Sequence, residues 1–136
     1  MKIVVIDAQG GGLGKGLISA IRKSFPNEEI IAVGTNSLAT SNMLKGGCDI
    51  GATGENAVIV NCRDADIIVG PVGIVIADAL YGEITPAMAL AVSQSRAVRI
   101  LLPINRCKNI IVGVDDLNTS TLIEKALEMM SRYLSD

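Results

Sequence analysis

Apolar positions in this chain come in short unbroken runs that alternate with amphipathic stretches. "KIVVI" at 2–6 is apolar on nearly every residue, the pattern of a strand covered on both sheet faces. Beyond a run of glycines, Leu13, Leu17, Ile21 and Phe25 recur at helical spacing, and Pro26-Asn27 stops that helix. "EIIAVG" at 29–34 predicts a second strand. "SLATSNMLKGG" at 37–47 predicts a helix ending in glycines, with Lys45 in its last turn. "CDIGA" at 48–52 reads as a short third strand. Val58-Ile59-Val60 has strand propensity, but a helix over 55–63 lets Asp64-Ala65-Asp66 turn into an evident strand at 67–69, and we read helix. Segments 74–80 and 85–93 read as helices, "VRILLP" at 98–103 as a strand and 110–112 as another. Thr121 and Glu124 have capping-box spacing at the start of a last helix. Leu122, Ile123, Ala126, Leu127, Met130 and Leu134 form its buried face.

Strand–helix alternation with all-apolar strands predicts an α/β fold. The expected form is a three-layer, Rossmann-like, doubly wound and mainly parallel sheet of about five or six strands, in a single domain over 1–136. In such sheets ligands sit at the carboxyl ends of the strands, near the switch in strand order. The loops predicted there are "DAQGGGLGKG", "GTNS", "GATGEN", "GPVG" and "PINR". Glu28, Glu29, Asp64 and Arg99 fall mainly at the opposite edge.

Composition narrows the function. The 136 residues are long enough for a core without disulfides or metals, and that core must be aliphatic, because only two Tyr, one Phe and no Trp are present. A net charge of −2 with interspersed signs gives no field for nucleic acid or acidic lipid. Without histidine, a His-based triad is impossible and a zinc site lacks ligands, so no metal is expected. Cys48, Cys62 and Cys107 share no paired spacing and read as reduced thiols of a cytoplasmic protein. The first apolar stretch is too short for a signal sequence, and the apolar region 67–92 carries two acids and two prolines, which argue against a membrane span. That region reads better as buried chain or as the interface of a homo-oligomer, a dimer being the first guess.

The glycine run after the first strand carries most of the functional signal. Dinucleotide G-x-G-x-x-G fails, since from Gly10 or Gly12 the last position is Lys15 or Leu17. The P-loop pattern fails twice, at Gln9 and at Gly16, where a magnesium-binding hydroxyl belongs. Free N–H groups and the helix dipole still favour an anion at such a loop. Lys15, in the first helical turn, either meets that anion or is a solvated loop lysine. Asp7 would repel a phosphate, and its expected role is to accept loop N–H bonds and hold the turn. The plainer alternative is that the glycines only permit a tight turn and close packing.

Gly11, Gly12, Gly14 and Lys15 resemble the variant loop of ParA-like ATPases, again without the hydroxyl. Gly10, Gly14 and Gly16 have G-x-x-x-G-x-G spacing and resemble the glycine motif of short-chain dehydrogenases/reductases. That resemblance implies a dinucleotide pyrophosphate over the loop. "RDADIIVG" at 63–70 resembles the fourth-strand entry of NAD(P)-binding folds. The family's Tyr-x-x-x-Lys is absent, because Tyr81 is followed four residues later by Thr85 and Tyr133 lies near the C-terminus. After the second strand, where a ribose-binding acid is usual, stand Thr35, Asn36 and Ser37, suited to a ribose, a phosphate or a helix cap. Over nearly its full length the chain is similar to a small bacterial family known only as a domain of unknown function, which implies a Rossmann-like fold and transfers no activity.

The expected ligand is therefore NAD(P) or a related adenine nucleotide. Its candidate contacts are Gly10, Gly11, Gly12, Leu13, Gly14, Lys15, Thr35, Asn36, Gly54, Asn56, Gly70 and Pro71. Catalytic residues are not identified: proton transfer would fall to Asp78, Glu55, Glu83, Tyr81 or a lysine, with Asp78 and Tyr81 sharing a predicted helical face. The alternatives are a non-catalytic regulatory or scaffold oligomer, and a P-loop-like mononucleotide binder without the magnesium hydroxyl.

Overall fold

Five parallel strands form one sheet in the order β3-β2-β1-β4-β5. The computed structural model describes residues 1–104, 106 and 108–134, so Asn105 of "PINR" and Cys107 lie outside the described residues. Along the chain run β1 (Lys2–Asp7), α1 (Gly12–Ser24), β2 (Glu29–Gly34), α2 (Ser37–Leu44), β3 (Ile50–Thr53) and α3 (Glu55–Cys62). They are followed by β4 (Ile67–Pro71), a 3-10 turn (Val72–Val75), α4 (Pro86–Gln94), β5 (Val98–Leu102) and α5 (Thr119–Ser131). The doubly wound reading holds, with five strands and no antiparallel pair among the described residues.

Alternation along β1 explains the three layers. Ile3 and Val5 join Leu17, Ile18 and Ile21 of α1, Met43 of α2 and Met130 of α5 on one sheet face. Val4 and Ile6 join Val58 of α3 and Met88 and Val92 of α4 on the other. Strands buried on both faces leave little freedom of register, because a one-residue slip would exchange the two cores. The β1–β2 ladder runs from Lys2 opposite Glu29 to Asp7 opposite Gly34. The β1–β4 ladder begins at Ile3 opposite Ile67. Strand order reverses between these two neighbours of β1, so the crevice outside its carboxyl end is where this architecture receives ligands. At the opposite edge, Lys2 pairs with Asp64 and the N-terminal amine with Glu28.

Three sequence expectations fail. The helix expected at 74–80 is a single 3-10 turn followed by a folded loop with Asp78, Leu80, Tyr81 and Gly82 at positive φ. Its apolar residues are satisfied without a helix, since Ile74, Ala79, Leu80 and Ile84 all reach the core. The supposed partners Asp78 and Tyr81 do not share a helix face, and Tyr81 is 97% exposed. Residues 110–112 form no strand: Ile110 and Val112 are about nine-tenths exposed and lie outside the sheet. The last helix starts earlier than Thr121, capped by the Asn118 side chain, which accepts from the Thr121 N–H at 2.8 Å.

Candidate functional site

The glycine loop is built by three neighbours. From β1, the buried Asp7 carboxylate accepts the Ala8 N–H at 2.8 Å and the Gly14 N–H at 2.6 Å. This is the turn-holding role expected of Asp7, and it uses one of the four amides at the start of α1 that lack a helical partner. From α2, Asn36 Nδ2 donates to the Gln9 carbonyl at 3.0 Å and Asn42 Nδ2 to the Gly10 carbonyl. The loop's own Gly11 N–H closes on the Ala8 carbonyl at 3.1 Å. Loop carbonyls are thus held from the α2 side. The N–H groups of Gly10, Gly12 and Leu13 have no hydrogen-bond partner among the described residues.

The glycines of this loop divide by function. Gly11 has φ +74, and a Cβ there would lie 2.5 Å from the Ala39 carbonyl oxygen. A Cβ on Gly14 would lie 2.8 Å from Met43 Cε and 2.9 Å from Asp7 Cβ. These two glycines let α1, α2 and β1 approach closely. Gly10 and Gly12 are different: a Cβ on either meets nothing within 4 Å. Packing does not require glycine at those positions, and they open outward beside the unpaired amides. Lys15 is exposed one helical turn further on.

The sequence singles out Glu83 only as a candidate for proton transfer and does not show that it reaches the glycine loop. Glu83, carried by the loop between β4 and α4, extends across the carboxyl ends of β1 and β2. Its Oε1 accepts three hydrogen bonds, from the Gln9 N–H at 2.8 Å, Thr35 Oγ1 at 2.7 Å and Asn36 Nδ2 at 2.8 Å. Partial burial pushes this carboxyl up, but the three donors outweigh that and hold it below the ordinary glutamate range. Burial is the chief cause raising Asp7, its two N–H bonds offset part of the effect, and the Glu83 charge adds to the rise. No local sequence signal could reveal Glu83 here, because its partners lie 47 to 74 residues away along the chain.

The remaining expected residues spread along the same edge. Thr35 and Asn36 begin the β2–α2 connection, where Asn36 Oδ1 also caps α2 by accepting the Ala39 N–H at 2.8 Å. Gly54, at φ +101, precedes α3 and donates its N–H to the Gly34 carbonyl at 2.9 Å. Asn56 is exposed in the first turn of α3, and its neighbour Glu55 accepts from Thr85 Oγ1 at 2.6 Å. Gly70 and Pro71 are buried, and a Cβ on Gly70 would lie 2.4 Å from the Ile6 carbonyl oxygen, so close strand packing accounts for that glycine. Arg106 donates from Nε to the Pro103 carbonyl at 2.9 Å and from Nη2 to Asp116 Oδ1 at 3.3 Å.

A separate groove of about 420 Å³ lies between α3 and α4, lined by residues that include Ile59, Arg63, Leu90 and Arg96. It sits toward the ends of those helices that lead into β4 and β5, away from the glycine loop. Among the described residues no cluster of His, Cys, Asp and Glu could hold a metal ion, and no helix is long and apolar enough to cross a membrane.

No curated protein matches this sequence. Among solved structures, the chain is similar to a dodecameric FMN-dependent Ubix-like decarboxylase from Escherichia coli O157:H7, at 16% identity and a TM-score of 0.47, over 96% of this chain and 95% of that one. A family model matches residues 2–135, and the chain belongs to that family, the domain of unknown function DUF3842.

Proposed function

We propose that this protein binds a nucleotide or dinucleotide of the NAD(P) type, or a related adenine nucleotide, at the carboxyl edge of its sheet. The phosphate lies over the loop from Gly10 to Lys15, against the N–H groups of Gly10, Gly12 and Leu13. Thr35, Asn36, Gly54 and Asn56 form the rim. The observation that carries this reading is the pairing pattern of the loop: the Gln9 and Gly10 carbonyls are engaged by Asn36 and Asn42, while the N–H groups of Gly10, Gly12 and Leu13 are unpaired among the described residues and a Cβ on Gly10 or Gly12 would meet nothing within 4 Å. Such amides, with the positive end of the helix dipole, form a preorganised anion cradle. Lys15 adds a mobile positive charge beside it. The P-loop-like alternative is disfavoured, because a Cβ at Gly16 would point at Ile123 of α5, 3.1 Å away, and not into the loop. No reaction is assigned.

Thermal shift with NAD(H), NADP(H), ATP, ADP, AMP and FMN tests the proposal. At least one of these ligands raises the melting temperature of the wild type. Gly12→Val, placed where a side chain has room, melts normally but loses the shift, since the valine crowds an approaching phosphate. No shift with any member of the panel overturns the reading.

A second reading, a regulatory or scaffold homo-oligomer, draws on a separate observation. Much of 72–84 is folded into the core, apart from the exposed Tyr81, and further exposed apolar side chains stand on α3 and α4. Val60 there is 43% and Leu90 54% exposed. Helices that are apolar on both faces are usually covered on both. Sedimentation as a monomer at micromolar concentration would remove this reading.

A further inference from the structure

We infer that Glu83 reads the sugar of the bound nucleotide, accepting hydrogen bonds from a free ribose 2′,3′-diol and selecting against a 2′-phosphate. The inference rests on the nucleotide reading above and narrows the ligand class of that site.

Position is the first argument. A dinucleotide-binding sheet carries an acid just beyond its second strand, where the carboxylate accepts from the ribose hydroxyls. In this chain the residues following β2 are neutral, yet Thr35 and Asn36 both donate to the same oxygen of Glu83. The Gln9 N–H donates to that oxygen from the glycine loop. A carboxylate therefore stands between the end of β2 and the glycine loop, delivered by the connection that follows β4. Thr35 and Asn36 act as positioning residues for it.

Unused bonding capacity is the second argument. All three donors converge on Oε1, and Oε2 has no hydrogen bond among the described residues. An ionised carboxylate accepts and cannot donate, so its free oxygen is available to a ligand hydroxyl that displaces water. The unpaired amides of Gly10, Gly12 and Leu13 lie just beyond Gln9 in the same loop. A ribonucleotide supplies both an anion for those amides and hydroxyl donors close to it. A phosphate on the 2′ oxygen would instead face the Glu83 charge, with the Asp7 carboxyl nearby.

Construction of the delivering loop is the third. Asp78, Leu80, Tyr81 and Gly82 lie at φ between 57 and 83, conformations that are costly for the three non-glycine residues. The loop is held by the Asp78 N–H to the Ile84 carbonyl at 2.7 Å and the Ile84 N–H to the Ala79 carbonyl at 3.2 Å. Ala79, Leu80 and Ile84 are buried, which anchors the residues flanking Glu83 and fixes where its side chain begins. Backbone in such conformations persists where its surroundings over-determine it.

Calorimetric titration of the full chain with ADP, 2′-deoxy-ADP, NAD and NADP tests the inference. Wild type binds ADP about tenfold more tightly than 2′-deoxy-ADP, the effect of one hydrogen bond to a charged acceptor. It also binds NAD more tightly than NADP. In Glu83→Gln, which keeps an acceptor for the loop donors, both preferences shrink to about twofold. Equal binding of ADP and 2′-deoxy-ADP by wild type overturns the role of Glu83 and leaves the nucleotide reading standing, and this comparison needs no variant. Tighter binding of all four ligands by Glu83→Gln, with the ratios unchanged, also overturns it and marks Glu83 as a side chain that ligands must displace. Failure of every ligand to bind wild type overturns both readings.

Discussion

The Gly14 N–H donates to Asp7 Oδ2 at 2.6 Å, tying the first turn of α1 to the last residue of β1. This bond replaces an ordinary side-chain cap, since Gly11 at the N-cap position of α1 has no side chain to offer. The other Asp7 oxygen accepts from Ala8, so one buried carboxyl holds both ends of the turn.

Asp7→Ala leaves the Ala8 and Gly14 N–H groups without their acceptor and destabilises by about 1–3 kcal/mol. The sign of the pH dependence follows from the raised pKa of Asp7 in the folded protein. Its stabilisation is fully present below the unfolded pKa and is lost as pH rises through the folded one. The Asp7→Ala penalty is therefore larger near pH 3.5 than near pH 7, read as a difference in urea midpoint, at roughly these two conditions.

Glu83 has the opposite dependence. Its folded pKa is lowered, so its contribution is present above the unfolded pKa and disappears as pH falls through the folded one. The stability difference between wild type and Glu83→Gln is accordingly greater near neutrality than in acid. An equal difference at both would show that the three donors do not favour the ionised carboxylate.

Alanine substitutions along the glycine loop separate packing from openness. Gly11→Ala meets backbone at a positive φ, and Gly14→Ala drives a methyl against Met43 and Asp7; each costs about 1–3 kcal/mol. Gly12→Ala has free space and replaces a poor helix former with the best one, so the melting temperature is unchanged or higher. Thermal denaturation of the three variants provides the comparison.

Cys62 is 2% exposed, and burial pushes its thiol up to about 11. Thiolate is the reactive form, so Cys62 stays unmodified by an alkylating reagent at neutral pH until the protein unfolds. Peptide mass spectrometry after labelling with and without urea shows this.

The chain between β5 and α5 offers the most accessible cleavage point. Lys108 is exposed at φ +64, and Ile110 and Val112 are almost fully exposed. Limited trypsin treatment cuts after Lys108 before it cuts within the sheet. Early cleavage at Lys23 or Lys45 instead would contradict that ordering.

Local pattern was sufficient for what depends on periodicity. β1, β2 and α1 stand close to where unbroken apolar runs, helical spacing and Pro26 put them, because strands buried on both faces carry that signature in sequence, while α3 follows from the alternation of strand and helix against its local strand propensity. Apolar spacing at 74–80 misled for a definite reason. Ile74, Ala79 and Leu80 must reach the core, but a loop with left-handed residues buries them as well as a helix does. At 110–112, β-branched residues suggested a strand with no neighbour to pair with.

The sequence alone determined the architecture, the glycine loop at the carboxyl edge of the sheet and the lack of histidine chemistry, because each depends on neighbouring residues or on composition. Tertiary structure decided which glycines serve packing and which face open space, since that depends on Ala39 and Met43 approaching from α2. It also decided that an acid stands beyond β2. That acid is Glu83, 48 residues from Thr35 along the chain, and only folding of the β4–α4 connection brings the two within 2.7 Å.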